Sequence, residues 1–247
     1  MSKPSGAIDM TRGKPINLML RFALPMMIGS IFQSLYSMVD SAVLGRFVGS
    51  HALAAIGATT STTGLILLLA TGVTSAISIV LSQYVGANDT DRVRKGIVAS
   101  GWITLLLGVV LGLISVFAAR PLMQLLKTPE DVIDMSVLYI QIVCGCGIAQ
   151  FAYNAAASIL RALGDSKTPL YFLILCSILN VILDLISVIG LNMGVAGVAV
   201  ATVGSQAISA VICILVMFRK YPNLMPKRHT LRPDMPVSLK IFGMGAQ

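Results

Sequence analysis

Charge is what this sequence has least of: Asp, Glu, Lys and Arg together make up 11% of its 247 residues, against 56% hydrophobic residues. A soluble domain of this length could not face water with so little charge, so the chain reads as a polytopic membrane protein. Histidine is rarer still, with His51 and His229 alone, both in short polar segments. The four cysteines, Cys144, Cys146, Cys176 and Cys213, all fall inside apolar runs with no His or carboxylate at ligand spacing. That pattern excludes a Cys/His metal centre and a disulfide framework, and leaves free buried thiols. The first apolar run is too long for the core of a signal peptide and no small-residue cleavage site follows it, so it reads as a retained span. The formal net charge is +8, but in such a chain a basic balance reflects cytoplasmic loops rather than nucleic-acid binding.

What the sequence has instead is hydrocarbon in long runs. Six stretches reach the roughly 20 residues needed to cross a bilayer: Leu18 to Leu44, Ala52 to Val85, Gly96 to Ala119, Ser136 to Leu160, Pro169 to Leu191 and Val195 to Phe218. A seventh run starts at Val237, ten residues before the last one, Gln247. The expected organisation is a tail over 1–17, a six-helix transmembrane lobe over 18–218, a basic linker over 219–236 and the truncated start of a seventh span over 237–247. The fold class is all-α. Pro25 falls within the first span and would leave a carbonyl unpaired, which predicts a bend.

Orientation follows from the basic residues. With the amino terminus in the cytoplasm, 15 of the 18 Lys and Arg fall on the inner side, and only Arg46, Arg120 and Lys127 lie outside. The excess of basic residues on the inner side selects that orientation, in a multi-pass protein of the cell membrane.

The acids, sorted the same way, single out two residues. Eight of the 10 fall in tails or loops, leaving Asp40 and Asp184 inside spans. A carboxylate enclosed by hydrocarbon is costly unless it faces a bundle interior or a wet cavity, and is a candidate functional site; the alternative is an acid near the outer interface that caps or snorkels. Asn180 lies one helical turn before Asp184, with Ser177 and Ser187 beside them. Counted from the outer ends of their spans, Asp40 and Asp184 are both roughly 9 Å deep, and Thr202 roughly 12 Å along the returning sixth span. Two acids, an amide and a hydroxyl thus share one level.

Polar stripes accompany them. The first span carries Gln33, Tyr36, Ser37 and Asp40 on one face, the fourth Gln150, Tyr153 and Asn154 with Tyr139 nearer its outer start, and the sixth Thr202 and Gln206. Polar side chains in lipid must pair, so such stripes imply either a shared wet interior or a structural hydrogen-bond network. Gly197, Ala201, Ser205 and Ser209 form a small-residue seam for close helix packing.

Ser34-Leu-Tyr-Ser-Met-Val-Asp40-Ser-Ala-Val-Leu-Gly-Arg46-Phe resembles the multidrug and toxic compound extrusion (MATE) family. Ser82-Gln-Tyr-Val-Gly-Ala-Asn-Asp89 with Arg92 is similar to the family's loop after the second span, and Arg161-Ala-Leu-Gly-Asp-Ser-Lys-Thr-Pro169 to its loop after the fourth. Asn180 with Asp184, then Gly194-Val-Ala-Gly197 and Thr202, are similar to its fifth and sixth spans. The resemblance implies two six-helix lobes around a central cavity, this chain being the amino-terminal lobe. It also implies export of drugs or organic cations against inward H⁺ or Na⁺. The implied ion site is Asp40, Asn180, Asp184 and Thr202, with Gln33, Tyr36, Tyr139, Gln150, Asn154 and Gln206 around the cavity. Implied partners are a small cationic substrate, the bilayer and a second lobe that this chain does not contain, so that it reads as a fragment of a longer transporter. No cofactor is implied beyond the coupling ion. All four proposed ligands offer oxygen, which suits Na⁺ as well as a proton.

Two other classes use related residues. An intramembrane aspartyl protease also needs two membrane acids, but the Gly-x-Gly-Asp signature is absent around Asp184. A lipid-linked glycan flippase should line its cavity with several Arg or Lys for pyrophosphate, and no basic residue is expected deep inside a span here. The reading is therefore a transporter and not an enzyme, the remaining alternative being a non-transporting fragment.

Overall fold

Inside hydrocarbon every backbone N–H and C=O must be satisfied within the chain, and long apolar runs answer this by forming helices. The computed structural model describes residues 15–224, 226 and 234–245, which contain helices and no strand. In chain order the helices are α1 (Pro15–Phe47), α2 (Ser50–Gly86), α3 (Thr90–Leu125), α4 (Glu130–Gly145), α5 (Ile148–Ala162), α6 (Lys167–Asp184), α7 (Gly194–Lys220) and α8 (Met235–Gly245). A π-helical turn, Leu185–Gly190, extends α6, and a short 3₁₀ turn, Pro222–Leu224, follows α7. Most of the 1–17 tail, linker residues 225 and 227–233, and residues 246–247 lie outside the described residues, as does His229.

Five described reversals use residues in the left-handed region: Gly49 (φ 111), Asn88 (φ 55), Lys127 (φ 53), Gly164 (φ 84), and Asn192 (φ 52) together with Gly194 (φ 58). Glycine and asparagine enter that region at low cost, so five of these six positions suit their conformation. Asp89 then caps α3 by accepting a hydrogen bond from the Arg92 amide at 3.0 Å. The α4–α5 junction has no such residue among those described, and there the chain bends by 44° instead of reversing.

That bend corrects the expectation of one continuous fourth span. α3 packs closely against the chain at this bend. A Cβ on Gly112 would come within 2.9 Å of the Gly145 carbonyl oxygen, so α3 approaches the backbone of α4 more closely than any side chain allows. Glu130, Asp131 and Asp134, expected in a loop, form the first turns of α4, where the helix N-terminus favours acids. α1 runs as one helix through Pro25.

Four described helices are long and apolar enough to cross a membrane, α2, α3, α6 with its π turn, and α7; the bent α4–α5 pair makes a fifth. The expected first span falls on α1, which is outside that count. Its 33 residues extend about 50 Å, and its outer half is striped with Gln33, Ser34, Ser37, Asp40 and Ser41. Large side chains that no soluble protein would leave bare, among them Ile16, Leu68, Phe117 and Leu125, are exposed around the bundle. The protein is a multi-pass membrane protein.

The buried core sits at the two ends of the bundle. At the end where α5 meets α6, Ile77, Leu81, Ile97, Leu160, Met217 and Ile241 join α2, α3, α5, α7 and α8. At the opposite end Val43, Leu44, Ala52, Val188, Val195 and Val198 join α1, α2, the π turn and α7. A third cluster joins α3 to α4 through Met123, Ile133 and Ile140. The small-residue seam on α7 faces α6: a Cβ on Gly197 would meet Ser187 Oγ at 3.1 Å, and Ser205 and Ser209 are fully buried.

A polar lock closes the end where α5 meets α6. Asp165, in the α5–α6 loop, is 1% exposed and accepts hydrogen bonds from Lys220 Nζ at 2.6 Å, Thr168 Oγ1 at 2.7 Å and the Thr168 amide at 3.1 Å. Burial works against ionisation of Asp165, yet Lys220 and Thr168 together hold its carboxyl below the usual carboxylate range. The lock ties the start of α6 to the end of α7, the two helices that carry the polar cluster described next.

Candidate functional site

α6 and α7 pack along each other, and α1 packs on α6. α6 presents Asn180 and Asp184 to this interface, 1% and 0% exposed; α7 adds Thr202, and α1 brings Asp40 against Asp184. The structure thus brings together all four residues placed at one level by counting. Asn180 Nδ2 donates to Thr202 Oγ1 at 3.5 Å, and Thr202 Oγ1 donates to its own helix at Val198 O, 2.9 Å away. The Asn180 side-chain oxygen is left free.

The cluster is short of donors. Asp40 Oδ1, Asn180 Oδ1 and both carboxyl oxygens of Asp184 are buried with no hydrogen-bond partner. The flanking serines do not help: Ser177 Oγ donates to Leu173 O at 2.9 Å and Ser187 Oγ to Leu183 O at 2.7 Å, both within their own helix. No Lys, Arg or His pairs with either acid among the described ion pairs. Two carboxylates about 4 Å apart would repel by about 4 kcal/mol at an effective dielectric constant of about 20, on top of their desolvation. Such a set of oxygens calls for a shared proton or a bound hard cation. Immediately beyond Asp184 the helix widens into the π turn, a departure from α geometry that recurs at functional sites.

The cavity residues divide. Gln33, Tyr36, Gln150, Asn154 and Gln206 line a cavity of about 160 Å³ between α1, α5, α6 and α7. Tyr139 does not. It packs against the core cluster of Val43, Leu44 and Val198, within electrostatic reach of Asp40 and Asp184. Asp40, Asn180, Asp184 and Thr202 are also absent from the cavity wall. On each helix, however, the cavity is one turn away: Tyr36 precedes Asp40, Cys176 precedes Asn180 and Gln206 follows Thr202, each by four residues, or about 6 Å.

Sequence reasoning missed Arg161, which stands on the cavity wall with Ser166. It stands in the last turn of α5, so the expectation that no basic residue lies deep inside a span is not contradicted. Arg161 continues the α5 stripe of Gln150, Asn154 and Ala157 at helical spacing, and that spacing was the available signal.

The MatE family model matches residues 25–186. The chain is 34% identical over 97% of its length to a probable multidrug resistance protein, YpnP, of Bacillus subtilis, of which it covers 53%. It is 31% identical over 91% of its length to a second such protein of that organism, YoeA, of which it covers 50%. The chain therefore spans about half the length of these curated relatives. Among solved structures it superposes on the outward-facing conformation of a multidrug resistance MATE family transporter with a TM-score of 0.91 and 25% identity, covering 99% of this chain and 54% of that one.

Proposed function

The chain belongs to the MatE family of multidrug transporters, and on that premise we propose that it works as the amino-terminal lobe of a cation-coupled efflux transporter, joined in function to a second lobe. The observation that supports this most directly is the buried pair Asp40 and Asp184, free of any basic partner and one turn from a polar cavity. In this reading an entering H⁺ or Na⁺ neutralises the pair, drawing on the four free oxygens of Asp40, Asn180 and Asp184. Thr202 accepts from the Asn180 amide nitrogen and leaves the Asn180 oxygen free for the ion. Neutralisation alters the packing of α1 against α6 and releases a drug or organic cation from the cavity to the outer side. The amino terminus faces the cytoplasm, as the distribution of basic residues supports.

The test is Asp184→Asn in a two-lobe transporter that carries this lobe. Membrane insertion should be preserved and ion-driven efflux of a cationic dye lost. Unchanged efflux would remove Asp184 from the mechanism. The flippase reading is not favoured, because a single Arg on the cavity wall cannot clamp a pyrophosphate.

A further inference from the structure

α8 runs antiparallel to α2, from a polar seat near its start to a glycine contact at its end. Asp234, just before α8, accepts from Lys95 Nζ at 2.8 Å. Further along, Lys240 Nζ donates to Gln83 Oε1 at 3.0 Å and stands 5.2 Å from the centre of the Tyr84 ring, within cation–π reach. The neighbour of Lys95, Arg94, donates to the Asn223 carbonyl oxygen through Nε at 2.9 Å and Nη2 at 2.6 Å. Consecutive residues of α3 thus hold both sides of the segment between α7 and α8. Val237 and Ile241, one turn apart on α8, are 7% and 0% exposed and belong to the same core cluster as Leu81, Ile97 and Met217. At the far end a Cβ on Gly72 would meet the Gly245 carbonyl oxygen at 3.1 Å, and one on Gly245 would meet Val73 Cα at 3.2 Å.

We propose that Met235–Gly245 is a fixed part of this lobe in the working transporter, and that the seventh span pivots at Gly243–Gly245 when the second lobe moves. This rests on the two-lobe transporter reading and deepens it by placing the joint between the lobes. Lifting α8 from α2 would undo the close packing of Ile241 and Gly245, part the Lys95–Asp234 ion pair and strip Gln83 from Lys240. Bending the helix at its last described turn leaves the ion pair, the Gln83 contact and the burial of Val237 and Ile241 in place. A pivot needs element-terminal residues whose backbone bends at low cost, and Gly243 and Gly245 supply two within three positions. The two differ in surroundings. α2 fills the Cβ position of Gly245, so close approach accounts for that glycine, whereas a Cβ on Gly243 would meet nothing within 4 Å. What glycine contributes at 243 is therefore backbone freedom rather than space.

The experiment ties α8 to α2 covalently in a two-lobe transporter that carries this lobe. Val73→Cys/Gly245→Cys puts two sulfurs within disulfide reach, because the Gly245 Cβ position is 3.4 Å from Val73 Cγ2. The exposed native thiol is removed by Cys146→Ser, and each single cysteine variant, oxidised in the same way, controls for other disulfides. Mass spectrometry of the linked peptide reads the cross-link, and melting curves check folding. If this pair does not fold, Gly72→Cys/Gly245→Cys ties the same contact. The disulfide is expected to form completely and to leave ion-driven efflux of a cationic dye at the level of the reduced protein. Gly243→Ala should slow efflux about fivefold, the helix-propensity difference between Gly and Ala, with the melting temperature unchanged or higher. Efflux lost on oxidation and restored by reductant would show that α8 must leave α2, and would overturn the proposal. A folded pair that forms no disulfide, or a Gly243→Ala variant with unchanged efflux, would overturn it as well. Efflux absent before oxidation as well as after would instead remove the transporter reading, and this proposal with it.

Discussion

Tyr36 and Asp40 stand one helical turn apart on α1, the first on the cavity wall and the second against Asp184. A cation in the cavity therefore sits close to the acid pair without touching it. At about 8 Å and an effective dielectric constant of about 20, one unpaired negative charge is worth about 2 kcal/mol to such a cation, or about 30-fold in affinity. A cationic aromatic amine should bind the purified chain more weakly when the pH is lowered, because a second proton removes the pair's remaining charge, whereas exchange of the shared proton for Na⁺ leaves that charge unchanged. The Asp40→Asn/Asp184→Asn double variant should bind it weakly under all conditions. Affinity in the wild type that ignores pH would separate the cavity from the acids.

Thr202 and Ser187 both lie beside the acids, but they make different predictions. Thr202 accepts from the Asn180 amide, whereas the Ser187 hydroxyl is spent on the Leu183 carbonyl. Thr202→Val should impair ion-coupled efflux in a two-lobe transporter, with Thr202→Ser restoring it. Ser187→Ala and Ser177→Ala should cost no more than about 1 kcal/mol of stability and leave coupling intact. Loss of coupling in Ser187→Ala would mean that the π turn, and not the oxygen cluster alone, sets the ion response.

The contrast between these hydroxyls also marks what the sequence could reveal. Charge is so scarce in the spans that sorting acids by topology isolates Asp40 and Asp184, and helical rise puts Asn180 and Thr202 at their depth. Periodicity alone cannot say where a hydroxyl points. Ser177 and Ser187 share the face of Asn180 and Asp184 yet bond backwards along the helix, the usual choice for Ser in hydrocarbon. The α4–α5 bend was hidden for another reason: the run from Ser136 to Leu160 is continuous in hydropathy, and hydropathy alone does not show where a helix breaks. Arg161 was read as a loop charge because it ends a span, although its spacing from Gln150 and Asn154 puts it on the cavity face.

Gly112 gives that bend a direct test. Gly112→Ala places a methyl group within 2.9 Å of a backbone oxygen that has no flexible end to yield, so the chain should lose about 1–3 kcal/mol. Gly101→Ala, on the same helix with nothing within 4 Å, should be neutral or stabilise by up to about 1 kcal/mol. Thermal melting of both variants in detergent reads the difference. Equal melting temperatures would show that α3 does not hold the bend.

Where α5 meets α6, Lys220→Met removes the ammonium that Asp165 requires and should cost about 3 kcal/mol, as for other broken buried pairs. The Asp165→Asn/Lys220→Met double variant should recover part of that loss. The sign of the pH dependence follows from the depressed carboxyl. The stabilisation is fully present above the ordinary aspartate value of about 4 and is lost as pH falls through the lower folded value. Melting temperature should therefore be insensitive to this group at neutral pH and fall only in acid, whereas in Lys220→Met, where burial acts without the opposing ammonium, that fall should shrink or reverse. Identical acid profiles would mean that Lys220 does not set the ionisation of Asp165.

The four free oxygens make a prediction about the ion itself. A proton shared by Asp40 and Asp184 satisfies two of them, while Na⁺ can draw on Asp40 Oδ1, Asn180 Oδ1 and both oxygens of Asp184 together. Na⁺ should accordingly displace the proton. Infrared spectra of the purified chain in Na⁺-free solution should show a protonated buried carboxyl at neutral pH, and adding Na⁺ should diminish that band and release about one proton per chain into a weakly buffered medium. The Asp40→Asn/Asp184→Asn variant should show neither response, because both acids are gone while the shape of the cluster is kept. A wild-type band that Na⁺ leaves unchanged would assign the site to protons alone, since the Asn180 oxygen would then have no cation to serve.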